Sequence, residues 1–139
     1  MVDAREIADE LTAAVASGDL EGATKCYAPQ AVLVAPEGTF KGRSQIAEYF
    51  RSWTEPWSDT VFEVSTKASW GNRALDEWTC RATNSGIIAL PTGASVPATG
   101  NRVTVRGTDI CTVDEGAIVE HHIYYDQVEL LGQLGLLPE

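Results

Sequence analysis

The stretch GTDICTVDEGAIVEHHIYYDQ, from Gly107 to Gln127, holds two residues with the chemistry of an acid–base pair. Asp109 offers a carboxylate and His121 an imidazole. Brought together out of water, such groups move protons. Either one would abstract a proton from the carbon next to a carbonyl. The other would hold its partner's orientation and polarise the developing enolate. Tyr125, on the same face of the same strand, would donate its hydroxyl proton to that oxyanion. The competing reading is a buried structural pair that fixes strand register. The two readings part on whether both side chains enter one pocket.

The elements that must position them follow from periodicity. Asp3 caps a first helix in which Ile7, Leu11, Ala14 and Val15 form one apolar stripe, ended by Ser17-Gly18. Asp19 caps a short second helix, LEGATKCYA, which stops before Pro29. AVLVAPEGTFKG reads as a strand with a turn around Glu37-Gly38. Ser44 opens a helix, SQIAEYFRSWTEPW, with Ile46, Tyr49, Phe50, Trp53 and Trp57 on one face. From Thr60 the period changes to two. TVFEVSTKASWGN and RALDEWTCRATNS are strands turning at Gly71-Asn72, with Trp78, Cys80 and Ala82 facing inward. A Gly/Pro-rich connection, GIIALPTGASVPATGN, leads to the strands RVTVRGTDICTV and AIVEHHIYYD. Asp126 starts a last helix, QVELLGQLGL, with Glu129 placed to complete a capping box. Helices come first, then a mostly antiparallel sheet, then a short closing helix. That order predicts an α+β fold with helices on one face of a curved sheet, as a single domain over residues 1–139.

Register decides whether Asp109 and His121 meet. With Gly116 in a three-residue loop, Val113 faces Ala117; with Glu115-Gly116 as a two-residue turn, Asp114 faces Ala117. The first register puts Val103, Val105, Gly107, Asp109, Cys111 and Val113 on one face, with Ala117, Val119, His121, Ile123 and Tyr125. Arg102, Thr104, Arg106, Thr108, Thr112, Glu120, His122 and Asp126 take the other. The cleaner split favours that register, which sets Asp109 directly opposite His121 with Cα atoms about 5 Å apart. A carboxylate beside a buried imidazole favours the charged forms and raises the histidine's pKa. Tyr49, Trp53, Trp57, Trp78 and Ile123 would then wall a pocket for a flat or polycyclic hydrophobic ligand.

Composition narrows the partners. The net charge of −10 disfavours binding to nucleic acid or an anionic membrane surface. No apolar run approaches the roughly 20 residues of a membrane span. Cys26, Cys80 and Cys111 show no zinc-ligand spacing, so no metal is expected. An odd cysteine count behind an N-terminus without a secretory pattern points to reduced thiols and a cytoplasmic setting.

The chain also resembles a known family, the SnoaL-like polyketide (ester) cyclases of the nuclear transport factor 2-like superfamily. The resemblance rests on YAPQAVLVAPEGTFKGRSQIAEYF at 27–50, LPTG with PATGNRV at 90–103, VDEGAIVEHHIYYD at 113–126 and LLGQLGL at 130–136. It implies a cone of helices closed by a bent sheet around an apolar cavity, often a homodimer through the outer sheet face. It also implies a cofactor-free aldol cyclisation of a hydrophobic carbonyl substrate. The family's acid/base aspartate, however, falls at Ile123, and only Asp126 matches the second aspartate of its pattern. The family histidine of the preceding strand falls at Asp109, and a Gly-Thr-His further back corresponds to Ala82-Thr83-Asn84. The water-activating set of the related limonene-epoxide hydrolases falls at Trp78, Cys80 and Ile123, so that activity is not expected. Ketosteroid isomerases share the cone, which leaves isomerisation beside cyclisation. The alternative of another class is a non-catalytic pocket protein that binds a small apolar molecule.

Overall fold

A computed structural model describes residues 3–90 and 93–137. Pro91 and Thr92 of the LPTG segment lie outside the described residues. Among the described residues four helices, α1 (Ala4–Ser17), α2 (Leu20–Lys25), α3 (Gly42–Ser52) and α4 (Gln127–Gln133), accompany eight strands. These are β1 (Tyr27–Ala35), β2 (Gly38–Lys41), β3 (Trp57–Trp70), β4 (Arg73–Asn84), β5 (Ile88–Ala89), β6 (Ser95–Val96), β7 (Arg102–Asp114) and β8 (Ala117–Tyr125). Six of them form a sheet in the order β2-β1-β8-β7-β4-β3, antiparallel except where β1 runs parallel to β8. The small β5–β6 hairpin lies within the Gly/Pro-rich connection. The architecture is the expected α+β one.

The helix caps form as the sequence requires. The Asp3 side chain accepts from the Glu6 backbone N–H, and Gly18 closes α1 in the left-handed region at φ 74°. Ile7 and Leu11 of α1 are buried with Ile46, Tyr49 and Phe50 of α3 against the inner sheet face. Asp126 caps α4 by accepting from Val128 and Glu129 N–H. The Glu129 carboxylate pairs with Arg106 at 2.9 Å instead of turning back to complete a capping box.

Three element boundaries differ from the sequence expectation. The second helix ends at Lys25, and Tyr27 begins β1 instead of closing a helix. The pairing of β1 with β8 skips between Tyr27 and Val32, and Pro29, which has no N–H to give a ladder, sits inside that gap. The third helix begins at Gly42 rather than Ser44 and ends at Ser52. Trp57 therefore does not share a helical face with Trp53: it opens β3, and the two indoles stack at 6.1 Å between centroids.

The β7–β8 register is also corrected. The turn is the two-residue one, with Asp114 opposite Ala117. Glu115 and Gly116 both take positive φ, 49° and 78°, as that turn requires. A bulge then shifts the ladder between Val113↔Ile118 and Thr112↔Glu120. Beyond it, His121 lies opposite Cys111 and Asp109 opposite Ile123, so Asp109 and His121 are diagonal neighbours. The bulge has a clear physical reason. It turns Ile118, placed outward by the simple alternation, into a fully buried position. Burying an isoleucine contributes about 1.5–3 kcal/mol, more than the roughly 0.5–1.5 kcal/mol of one ladder hydrogen bond. Observed and expected registers differ by an even number of residues past the bulge, so the inward set from Asp109 to Tyr125 is unchanged.

Gly107 links this sheet to the cavity described below. It lies opposite Trp78 on β4. A Cβ added at Gly107 would meet the Trp78 ring at 2.5 Å and the Tyr124 carbonyl oxygen at 2.8 Å. The ring could swing away, but the backbone oxygen cannot. Gly107→Ala is expected to lower stability by about 1–3 kcal/mol in urea unfolding and to shift tryptophan emission. Unchanged stability and emission would show that this close approach does not hold Trp78 in place.

Candidate functional site

His121 is held from both sides. Its Nε2 lies 2.6 Å from Asp109 Oδ2, and its Nδ1 lies 2.6 Å from the Tyr27 hydroxyl. With Asp109 ionised, Nε2–H donates to the carboxylate. Nδ1 then either accepts from the neutral Tyr27 O–H or, in the imidazolium, donates to the phenolic oxygen. The imidazole side chain is 4% exposed and the Asp109 carboxylate 15%. Burial works against the imidazolium. The Cys111 sulfur and the Asp109 carboxylate outweigh it and push His121 up to about 10. Tyr27 is fully buried, and burial drives its phenol well above the ordinary value, so it stays a neutral partner.

A second carboxylate supports the first. Asp76 lies directly opposite Asp109 across the β4–β7 ladder and is 3% exposed. Arg5 on α1 reaches its Oδ1 at 2.6 Å, and Thr12 donates to Oδ2 at 3.4 Å. Burial, with Asp109 nearby, raises Asp76, and Arg5 offsets only part of that. A buried acid and a half-buried one thus sit side by side, each with its own cation: Arg5 for Asp76 and His121 for Asp109. Unpaired, either would cost several kcal/mol.

The pair faces a cavity of about 410 Å³. All eight residues singled out from the sequence line it: Asp109, His121, Ile123, Tyr125, Trp78, Tyr49, Trp53 and Trp57. That volume is in the range that holds a drug-sized molecule. Phe62 packs on Trp78 at 5.3 Å and Tyr125 meets Trp53 edge-on at 5.4 Å, so much of the wall is aromatic. The outward residues separate as expected. His122 pairs with Glu120 at 3.0 Å on the outer face, and Arg102 and Arg106 are exposed.

Three partners escaped the sequence reading. Tyr27 was assigned to a helix end. Asp76 belongs to no motif, although it lies two residues before the inward Trp78 and shares its parity. Glu37, at the β1–β2 turn, accepts from Trp53 Nε1 at 3.1 Å and had no periodicity to mark it. Cys111 is the fourth surprise. Its sulfur, an Asp109 oxygen and a His121 ring nitrogen lie within 4.8 Å of one another, a set that could hold a metal ion. Sequence spacing could not reveal it, because the ligands come from two strands. Here Nε2 and Oδ2 are already hydrogen-bonded to each other.

The raised imidazolium has a sign that can be tested. Between the ordinary value near 6.5 and about 10, the folded chain binds a proton that the unfolded chain has lost. The stabilisation is complete below about 6.5 and fades as pH rises through 10. The stability gap between the wild type and His121→Gln should therefore narrow from pH 6.5 to 10 in denaturant titrations. A gap that widens over that range would contradict the assignment.

Comparison with known proteins agrees with this fold. Residues 8–121 match the SnoaL-like domain family. The chain is similar in structure to AclR, a candidate hydroxylase from Streptomyces galilaeus, with 25% identity, 96% of each chain covered and a TM-score of 0.81. It is similar also to IdmH, a candidate polyketide cyclase from Streptomyces antibioticus, with 26% identity, 96% of this chain and 99% of that one covered, and a TM-score of 0.78. A candidate SnoaL-like polyketide cyclase from Jannaschia shares the fold at 14% identity, with 96% and 92% covered and a TM-score of 0.82. No curated protein matches the chain significantly. The match over most of the sequence, on a helix-covered curved sheet, makes this chain a member of the SnoaL-like domain family with the nuclear transport factor 2-like cone fold.

Proposed function

We propose that this chain is a cofactor-free acid/base enzyme acting on a hydrophobic, polycyclic carbonyl compound. The observation that carries the reading is the Asp109–His121–Tyr27 chain, set in the wall of an otherwise largely apolar cavity. The geometry divides the roles. Both ring nitrogens of His121 are engaged. Asp109 is the more open of the two groups, and its Oδ1 is not tied by the bond to the imidazole. Asp109 is therefore the base, and His121 is the cation that orients it and offsets negative charge.

The reaction follows from these roles. Asp109 takes a proton from the carbon next to the substrate carbonyl, and the C–H electron pair passes into an enolate. In an isomerisation the proton returns at another carbon. In an aldol cyclisation the enolate carbon bonds to a second carbonyl, whose oxygen takes the proton back. Placed well, this acid–base chemistry contributes about 10²- to 10⁴-fold. Family relatives that carry polyketide cyclase names favour the cyclisation branch for this chain. A homodimer through the outer sheet face, where Val61 and Tyr124 remain exposed, would leave the cavity untouched.

A second reading, a non-catalytic pocket protein, is favoured by one observation. Ile123 occupies the cavity wall where the family places its aspartate, directly opposite Asp109. Deuterium exchange separates the two. The wild type should accelerate exchange at the carbon beside the carbonyl of 2-tetralone in D₂O, and Asp109→Asn should lose about 10²-fold or more of that acceleration. Binding should persist in the variant, read as quenching of tryptophan fluorescence. Binding by the wild type without accelerated exchange would establish the pocket-protein reading. A chelator should leave the exchange rate unchanged; a loss would implicate an ion at Asp109, Cys111 and His121.

A further inference from the structure

Cys111 stands beside the Asp109–His121 pair and takes no part in the proposed proton transfer. It is 1% exposed. The β7–β8 ladder sets it directly opposite His121, and Asp109 lies two residues before it on β7. Its sulfur is 3.9 Å from Asp109 Oδ2, and His121 Nε2 is 2.6 Å from the same oxygen. A thiol, an imidazole and a carboxylate thus converge from two strands, with one ligand atom of each within 4.8 Å of the others. Around a tetrahedral zinc ion, bonds of about 2.0–2.3 Å set neighbouring ligand atoms roughly 3.3–3.7 Å apart. The sulfur–oxygen edge is close to that already. The nitrogen–oxygen edge must open by about 0.7 Å to admit the ion. Asp109 lines the cavity, so its carboxylate has space to make that move. Two further features suit an ion. Metal-bound histidines donate their second ring N–H to an acceptor that fixes the ring, and the Tyr27 hydroxyl oxygen stands 2.6 Å from Nδ1. The cavity, which Asp109 and His121 both line, gives the ion a way in and a water for its fourth position.

We propose that Asp109, Cys111 and His121 form a binding site for a borderline-soft divalent cation, zinc foremost, which replaces the proton between His121 and Asp109 and blocks the base. The ion bonds to His121 Nε2, to an Asp109 oxygen and to the Cys111 sulfur. The Nε2 proton and the thiol proton leave to solvent. Asp109 and the Cys111 thiolate match the ion's two charges, so the occupied site brings no net charge into its apolar surroundings. A thiolate and an imidazole select against magnesium and calcium, which take oxygen ligands. A carboxylate bound to zinc is a far weaker base than a free one, because the ion's charge holds its electron pairs. The site itself rests on geometry. The block rests in addition on Asp109 being the base, as in the proposed function.

Cobalt(II) serves as the spectroscopic probe and zinc as its competitor. Titrated with Co²⁺, the full chain should develop a thiolate-to-metal absorption band and the visible bands of a tetrahedral ion. Zn²⁺ should erase them, and Mg²⁺ should not. Cys111→Ala should abolish the thiolate band, and it and His121→Gln should each weaken zinc binding at least about 100-fold. Cys80→Ala, which removes a cavity thiol on β4, should change neither. No thiolate band in the wild type, or a band that survives Cys111→Ala, would overturn the site. Should Cys111→Ala fail to fold, the double variant Cys26→Ala, Cys80→Ala decides, because its one remaining thiol is Cys111. Loss of the band there would overturn the site as well. Zinc should also suppress deuterium exchange into 2-tetralone, with half-inhibition shifted in Cys111→Ala by the factor that binding weakens. Zinc that binds yet leaves exchange unchanged, or speeds it, would overturn the block and keep the site. A metal-free wild type inert in exchange would defeat the proposed reaction, and the block with it, while the cobalt spectrum still decides the site.

Discussion

A charged imidazole is costly inside an apolar cone, and the site depends on how that cost is met. His121 is nearly sealed from solvent, and the Asp109 carboxylate at one nitrogen is what makes its charge tolerable. Tyr27 at the other nitrogen fixes the ring's orientation. Each neighbour depends on something further out. Asp109 lies opposite Asp76, which would repel it unless Arg5 from α1 neutralised that charge. Tyr27 sits at the irregular start of β1, where Arg43 binds its carbonyl oxygen at 2.8 Å. Helix α1, both outer neighbours of β8 and the β7–β8 bulge therefore converge on one ring.

The walls around that ring follow from size. Gly107 gives up its side chain so that Trp78 can lie against the sheet. Trp53 leaves α3 at its C-cap and Trp57 enters β3, and the short turn between them lets their rings stack. These choices keep large rings at the periphery and leave space between them. Ile123 lies opposite Asp109 on the adjacent strand, and Cys111 and His121 surround that carboxylate.

Much of this was legible in the sequence. Strand alternation is parity, and parity survived a wrong register: Asp109, His121, Ile123 and Tyr125 still face the same cavity. Their partners across the ladder were not legible. The bulge at Val119 arises because burying Ile118 outweighs one ladder bond, a tertiary preference that local alternation cannot express. Tyr27 was hidden because LEGATKCYA suits a helix, and only the parallel pairing with β8 draws its end into a strand. Asp76 is readable in principle, since it alternates with Trp78, but a carboxylate next to Glu77 gives no local signal of burial. Glu37 lies on a turn and carries no period at all.

The central claim is that Asp109 and a protonated His121 share one half-buried hydrogen bond in the cavity wall. Proton and nitrogen NMR of the chain labelled with ¹⁵N-histidine tests it most directly. At pH 8 the Nε2 nitrogen of His121 should carry a slowly exchanging, strongly deshielded proton, and that signal should move sharply upfield in Asp109→Asn. A His121 ring that is neutral at pH 8, with Nε2 bare and unaffected by the Asp109 substitution, would contradict the account.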